Sequence, residues 1–515
     1  MTMSFLNDCQ AVVPVAKRLL CLMTLGLTLA VASPNQSAVL PQESAAEKPI
    51  EVTLHPAAEP VPALRYRLLP ERREQIQGNA AVFYHRAVQT LILDRGYRMA
   101  ENLRDPAKKK PTPDEQISEW AYKPISEIPH EKARELLASR FSLILNEVEQ
   151  GARRASCDWE FDHRTDGIWL LLPEMQEIRA LARLVAVKAR LAILDGKPDE
   201  AMRWIKIGLG MGRHVAHGPI LIQALVGIAI DSLMNQCLLE LIQTPGTPSL
   251  VWALADRPSP FIDPRYSLEG ERYLLEKELP ELKNLETHVW SADEARQFAD
   301  GLQRKLFTFS SELSPIAPGT PDDTASFGRR LQIASMASRI YLEASQSLIA
   351  HGWPEENVKA MPIIQVACLH TYLEYKKLRD QNYKWINVPY HQSFDKLERA
   401  NKAMMSDNMK NPMLPLLGQL TPALSSARMS FVRLDRQFDA LQVIEAIRLY
   451  THNHQGKLPP SLEAITEAPV PYDPATSKPF GYKVADDTAT LSAPILPGGP
   501  DHPNYKINYL LKLAR

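Results

Sequence analysis

The stretch RLAILDGKPDEAMRWIKIGLGMGRHV, residues 190–215, sets the fold class. Gly196 can close a helix in left-handed backbone without a Cβ clash, and Pro198 suits a first helical turn, where its missing N–H is not needed. The stretch therefore predicts two antiparallel helices joined around Asp195 to Lys197. Ala189, Ala201 and Gly208 are small where the two must approach, and Ile205 and Leu209 can fill the seam. The same three-and-four spacing recurs outside it, at Leu136, Leu137, Phe141, Ile144 and Leu145 and again at Ile178, Leu181, Leu184 and Val185. From about residue 130 to 455 the pattern stays helical, interrupted by QTPGTPS, SPIAPGTPDDT and NPMLPLLGQLTP. Most of the 41 prolines fall in such breaks, where a lost N–H does least harm. The expected fold class is mainly α, a multi-helix array with a small C-terminal α+β unit.

Residues 178–215 resemble one tetratricopeptide-like hairpin, with a Gly-x-Pro-Asp-Glu-Ala turn between small residues. No second copy follows at the repeat spacing, and a solenoid needs about three units to bury a continuous core. The reading preferred is core packing, with a peptide-binding groove as the alternative.

The front of the chain has another logic. Lys17-Arg18, the apolar run LLCLMTLGLTLAVA and the small-x-small exit Ala30-Val31-Ala32 predict a secretory signal peptide over 1–32. The run is shorter than the roughly 20 residues a spanning helix wants, so membrane attachment is expected only if the signal stays uncut. Periplasmic or secreted localisation follows. Residues 33–62, rich in Pro, Ala, Ser and Glu, predict a disordered tether. A helical body is expected over 63–420, its first helix starting near Asn79 and stopping at Gly96, after a short strand at Leu64 to Pro70. The apolar segment PILIQALVGIAI, ending at Asp231, reads as a buried core helix.

Residues 421–515 predict a long helix followed by a small sheet. Ala440, Val443, Ile444, Ile447 and Tyr450 share one helical face, and Gly456 marks its stop. SLEAIT predicts a short helix, Asp473 an Asx-type turn, FGYKV and TATLSAP a hairpin around ADD, and YKINYLL an alternating strand.

Two wider resemblances bear on these segments. CDWEFD…GIWLLLPEMQEIRALARLVAVKARL, RYRLLPERREQIQGNAAVFYHRA and KWINVPYHQS look like an uncharacterised family of secreted planctomycete proteins, a likeness that implies location and architecture but no activity. AIRLYTHNHQGKLPPSLEAI…PVPYDPATSKPFGYKV is similar to the globular domain of type II secretion pseudopilins. That likeness implies a helix leading into a small sheet. It departs from the family in Arg428, Arg433, Asp435, Arg436 and Asp439, charges that bar this helix from a membrane or a filament core. Some pseudopilins bind calcium here; the local carboxylates are Asp473, Asp486 and Asp487, which turn roles explain better.

The net charge of −1 gives no nucleic-acid footprint, and Lys108 to Lys110 sit among prolines as a solvated loop. Cys157, Cys237 and Cys368 are too widely spaced for a disulfide framework or a CxxC metal site. CDWEFDHRTD gathers Cys157, Asp158, Glu160, Asp162, His163 and Asp166, a set that could supply a nucleophile, a base or a metal site, though proximity in sequence guarantees no convergence. His214 and His217 have metal-compatible spacing without a third ligand, His452 and His454 suit a helix end, and GLGMG lacks the strand a nucleotide loop requires. No catalytic, cofactor-binding or metal residue is assigned. The function expected is an exported, non-enzymatic helical scaffold or protein-interaction module of the cell envelope, with a protein partner. The rivals are an extracytoplasmic hydrolase using the Cys157 to Asp166 loop, and an accessory component of a secretion or envelope assembly.

Overall fold

A computed structural model describes residues 48–104, 112–159, 172–273, 275–276, 279–313, 323–414 and 424–514. The signal peptide, the first half of the tether, Lys108 to Lys110 and Glu160 to Asp166 lie outside these. The described residues are mainly α, with a strand unit near the C-terminal end.

The helices are α1 (Ala81–Arg104), α2 (Pro113–Trp120), α3 (His130–Ser139), α4 (Ser142–Ala152), α5 (Leu172–Leu194), α6 (Pro198–Ala216), α7 (Leu221–Ile242), α8 (Val251–Ala255), α9 (Pro264–Arg272), α10 (Ala292–Leu313), α11 (Asp323–Ala350), α12 (Glu355–Ala360), α13 (Ile363–Tyr383), α14 (Tyr390–Lys410) and α15 (Leu424–Asn453). The α5–α6 junction closes as its sequence dictates. Gly196 has φ +67°, its N–H meets the Ile193 carbonyl at 3.0 Å, and the Lys197 N–H meets that of Ala192 at 2.9 Å. Two otherwise orphaned carbonyls are thereby satisfied.

Where the two helices meet, the hairpin is core: Ala189, Ala201, Ile205 and Leu209 are fully buried. Its glycines serve a third helix. A Cβ at Gly208 would lie 2.1 Å from Met234 Sδ, and one at Gly212 would lie 2.1 Å from Asp231 Oδ1, both atoms on α7. The stretch set aside as a nucleotide loop is thus the flat side of α6 on which α7 lies. By length and composition alone α7 could cross a membrane, but two thirds of its most apolar window (67%) is buried inside the protein. It also runs through Asp231 rather than stopping there.

Four strands, β1 (Ile50–Leu54), β4 (Gly481–Ala485), β5 (Thr488–Ala493) and β6 (Ile507–Leu513), form one sheet ordered β1-β6-β5-β4. The hairpin β4–β5 and the alternation of buried Ile507, Tyr509 and Leu511 follow the sequence reading. β1 does not. It falls within the expected tether, yet it pairs parallel with β6, Ile50 opposite Tyr509 and Leu54 opposite Leu513. Val52 and Leu54 are buried, so a period-2 apolar pair outweighs the proline-rich composition around it. A two-stranded pair, β2 (Ile76–Asn79) with β3 (Arg154–Ser156), was also not expected.

Other boundaries shift for local reasons. Leu64 to Pro70 contains no strand; Arg65 and Tyr66 there are bound to Asp199 instead. α1 runs through Gly96, and Asn79 sits just before it, its Oδ1 accepting from the Ala81 N–H (3.0 Å) and the Asp158 N–H (2.9 Å). SLEAIT shortens to a single 3₁₀ turn, Leu462–Ala464.

The buried apolar residues fall into two large clusters whose division is not the one expected at residue 420. One joins the first nine helices, α15 and the sheet. The other holds Leu275 to Leu302, α11 to α13, Met413 and Leu414. α15 belongs to the first because it is buried all round between Phe438 and Leu449, with Leu441 and Ala446 as buried as the predicted face. Buried arginines tie loops to this frame. Arg448 pairs with Glu445 (2.5 Å, both fully buried) and donates to the His55 and Thr247 carbonyls, each at 2.9 Å. Arg436 pairs with Asp473 (2.8 Å) and donates to the carbonyls of Tyr505 (2.9 Å) and Pro494 (2.6 Å). One of the charges that bar α15 from a lipid environment, Arg436, thus latches the C-terminal unit onto it.

Candidate functional site

The chemistry proposed for the Cys157 loop starts badly. Burial first, and Asp158 second, push the Cys157 thiol far above its ordinary range, away from the nucleophilic thiolate. Its neighbours form a packing cluster. Trp159 stacks on Tyr84 at 5.7 Å and donates through Nε1 to the His214 carbonyl at 3.2 Å. The Tyr84 hydroxyl lies 2.9 Å from His214 Nδ1. Burial, helped by the charge of His217, lowers His214 to about 4, so the imidazole is neutral at physiological pH. His163 and the remaining carboxylates lie outside the described residues. His217 stacks near Tyr266 at 4.9 Å. Among the described residues no group of three or more His, Cys, Asp or Glu is arranged to hold a metal ion.

The other residues singled out by sequence are dispersed. His454 stacks on Tyr450 at 3.7 Å and lies 3.4 Å from Glu467 at the end of α15. Asp473 makes the expected Asx turn, its Oδ1 accepting from the Ala475 N–H at 2.9 Å, and spends its other oxygen on Arg436. Asp486 is the turn residue of the β4–β5 hairpin, at φ 51°.

The clefts that indent the described surface include three of 350–480 Å³. Two run along α4 to α6, enclosing 480 and 350 Å³. Most charged side chains in the first sit in ion pairs: Arg65 with Asp199, Arg203 with Glu149, Lys206 with Glu74, and Arg67 with Glu71 and Asp256. The third, of 480 Å³, is different in construction and in charge. It opens at the seam where the first helical cluster, α14 and the C-terminal unit meet. Its floor is α15, which presents Arg428, Val432 and Asp435 at helical spacing. Ser259 to Arg265 form one wall, Ile386 to His391 another, and the turn Tyr472 to Ser477 the third. Beneath the seam Tyr390, Val432, Ala475 and Leu496 close a small apolar cluster.

Arg428 is only 9% exposed. Its Nη2 donates to the Val388 carbonyl at 2.7 Å, its Nε has no hydrogen-bond partner, and among the described residues no carboxylate lies within ion-pair distance. Burial lowers its affinity for its proton, against the pull of Asp435, Tyr390 and Asp263. Asp435 accepts from the Phe261 N–H at 2.8 Å. Burial pushes Asp435 up to about 7; Asp439 adds to the shift, while the Phe261 hydrogen bond, Arg257 and Arg428 oppose it. Asp263 caps α9 and is held below the usual carboxylate range first by Arg265, whose Nε reaches both its oxygens at 2.9 and 2.8 Å. Tyr390 donates to the Pro497 carbonyl at 2.6 Å, and Tyr472 stands at the rim, 61% exposed.

Sequence reading noted Arg428 and Asp435 only as charges unsuited to a membrane. Their spacing of seven, two helical turns on one face, was the available signal; what it lacked was the identity of the loops that cover that face. The chain matches no known family model, no curated protein and no solved structure.

Proposed function

We propose that this protein is an exported, non-enzymatic recognition and scaffold module of the cell envelope, and that the seam cleft over α15 is its recognition surface. One observation carries the reading: a buried guanidinium, Arg428, faces a cleft built by three separate parts of the chain, with no carboxylate among the described residues within ion-pair distance of it. A buried cation left unmatched is costly in a free fold and repaid when a ligand supplies the counter-charge. The signal-like front and the likeness to secreted planctomycete proteins support an extracytoplasmic site of action. The buried arginine latches support a rigid platform, since they fix the C-terminal unit to α15 and keep the cleft walls in register.

The test is a photo-crosslinking residue placed at Tyr472, with a second at exposed Leu342 on α11 as control. In cells, adducts should form at the rim position and not at the control, in the extracytoplasmic fraction. Equal labelling at both, labelling at neither, or adducts confined to the cytosol would overturn the reading.

A second reading, hydrolysis, draws on one observation: the cleft holds one carboxyl pushed up toward neutrality and another held low, the environment split that separates an acid from a base. It predicts turnover lost in Asp435→Asn with binding retained, where the recognition reading predicts no turnover to lose.

A further inference from the structure

The charges around the cleft add up unequally. Arg265 is matched by Asp263 through its Nε, and Arg436 by Asp473 at 2.8 Å. Arg428 is left as the cation with no matched partner, its Nε buried and unbonded. Any anion that enters also meets Asp435, Asp263 and Asp473, and a doubly charged group such as phosphate is repelled about twice as strongly there as a single planar charge. The planar fork of a guanidinium suits a carboxylate in two-point contact. Ile386, Pro389, Val432 and Tyr472 line the same space and offer an apolar wall for whatever the carboxylate is attached to.

We infer that the seam cleft binds a singly charged organic carboxylate bearing an apolar group, with Arg428 as its anchor and Tyr472 covering the apolar end. This rests on the cleft being the recognition surface, and it names the chemistry recognised there. The ligand is either a free organic acid or the carboxylate end of a peptide, which present the same group. Asp435 donates to one carboxylate oxygen when it carries its proton, while Arg428 donates to the pair.

Calorimetric titration of the full chain decides it. The probes are phenylacetate, N-acetyl-alanyl-alanyl-phenylalanine as the free acid, the same peptide as its C-terminal amide, and inorganic phosphate. Saturable binding of either acid with none of the amide is the expected result. Binding of the peptide acid alone assigns a chain end, and equal binding of phenylacetate assigns a free acid. Arg428→Gln should weaken the acid on the order of 30-fold. Should that variant lose its cooperative melt, Tyr472→Ala, at an exposed position, should still weaken binding severalfold, and the acid-against-amide comparison needs no variant. Acid and amide binding alike, phosphate binding more tightly than either acid, or no heat from any acid up to about 10 mM would overturn the inference. If the acids fail while crosslinking at Tyr472 persists, the ligand class falls and the recognition surface stands; if both fail, both fall.

Discussion

His214 and Asp435 are displaced from their ordinary titrations in opposite senses, and each leaves a signature in how stability depends on pH. His214 is lowered to about 4 in the fold, so between there and its ordinary value of 6.5 the unfolded chain binds more protons; stability is complete above that window and lost as pH falls through it. Asp435 is raised from 3.8 to about 7, so in that interval the folded chain holds more protons, and stability declines as pH rises toward neutrality. The two windows overlap and their slopes oppose, so in urea unfolding they should largely cancel between about pH 4 and 6.5; His214→Gln should leave stability falling as pH rises, and Asp435→Asn should leave it rising. The second variant keeps an acceptor for the Phe261 N–H and should gain about 1–2 kcal/mol at pH 8 relative to pH 5. Identical pH slopes in variant and parent would show that the carboxyl is not shifted. Neither shift was legible in the sequence. Asp435 occurs there as one charge among several on a helix, and its environment comes from Phe261, Arg257 and Asp439, which only the fold collects.

At the scale of elements, two glycines test two kinds of necessity. Gly196→Ala puts a Cβ into left-handed backbone with open space around it, a conformational cost of about 1 kcal/mol. Gly208→Val instead meets Met234 on α7 and should cost about 3 kcal/mol by overpacking, partly recovered in the double variant with Met234→Ala. Additive losses in that pair would contradict close approach of α6 and α7. The helical hairpin itself was readable because Gly196 and Pro198 act locally. The role of Gly208 was misassigned to the partner within the hairpin because spacing reveals a small face but not which helix lies on it. β1 was missed for a related reason: a five-residue strand contributes little to the composition of a thirty-residue window, and its partner is β6, far along the chain. The cleft was illegible on the same grounds, since its walls come from loops with no pattern of their own.

For the molecule as a whole, the buried arginine latches carry the largest expected effects. Arg436→Met leaves Asp473 charged and buried and strips donors from the Tyr505 and Pro494 carbonyls, which predicts a loss of about 3–5 kcal/mol. Arg436→Met with Asp473→Leu should recover part of it, and hydrogen exchange should show the sheet opening before the helices in the single variant. Uniform exchange across both would mean that the C-terminal unit does not depend on the latch. The parallel pairing of β1 with β6 has a consequence in time rather than in space. A chain delivered from its front end presents β1 long before β6 exists, so the sheet cannot close until nearly everything between them has emerged. For that interval Val52 and Leu54 must wait uncovered, and a holding chaperone, not a faster folding rate, is what would protect them.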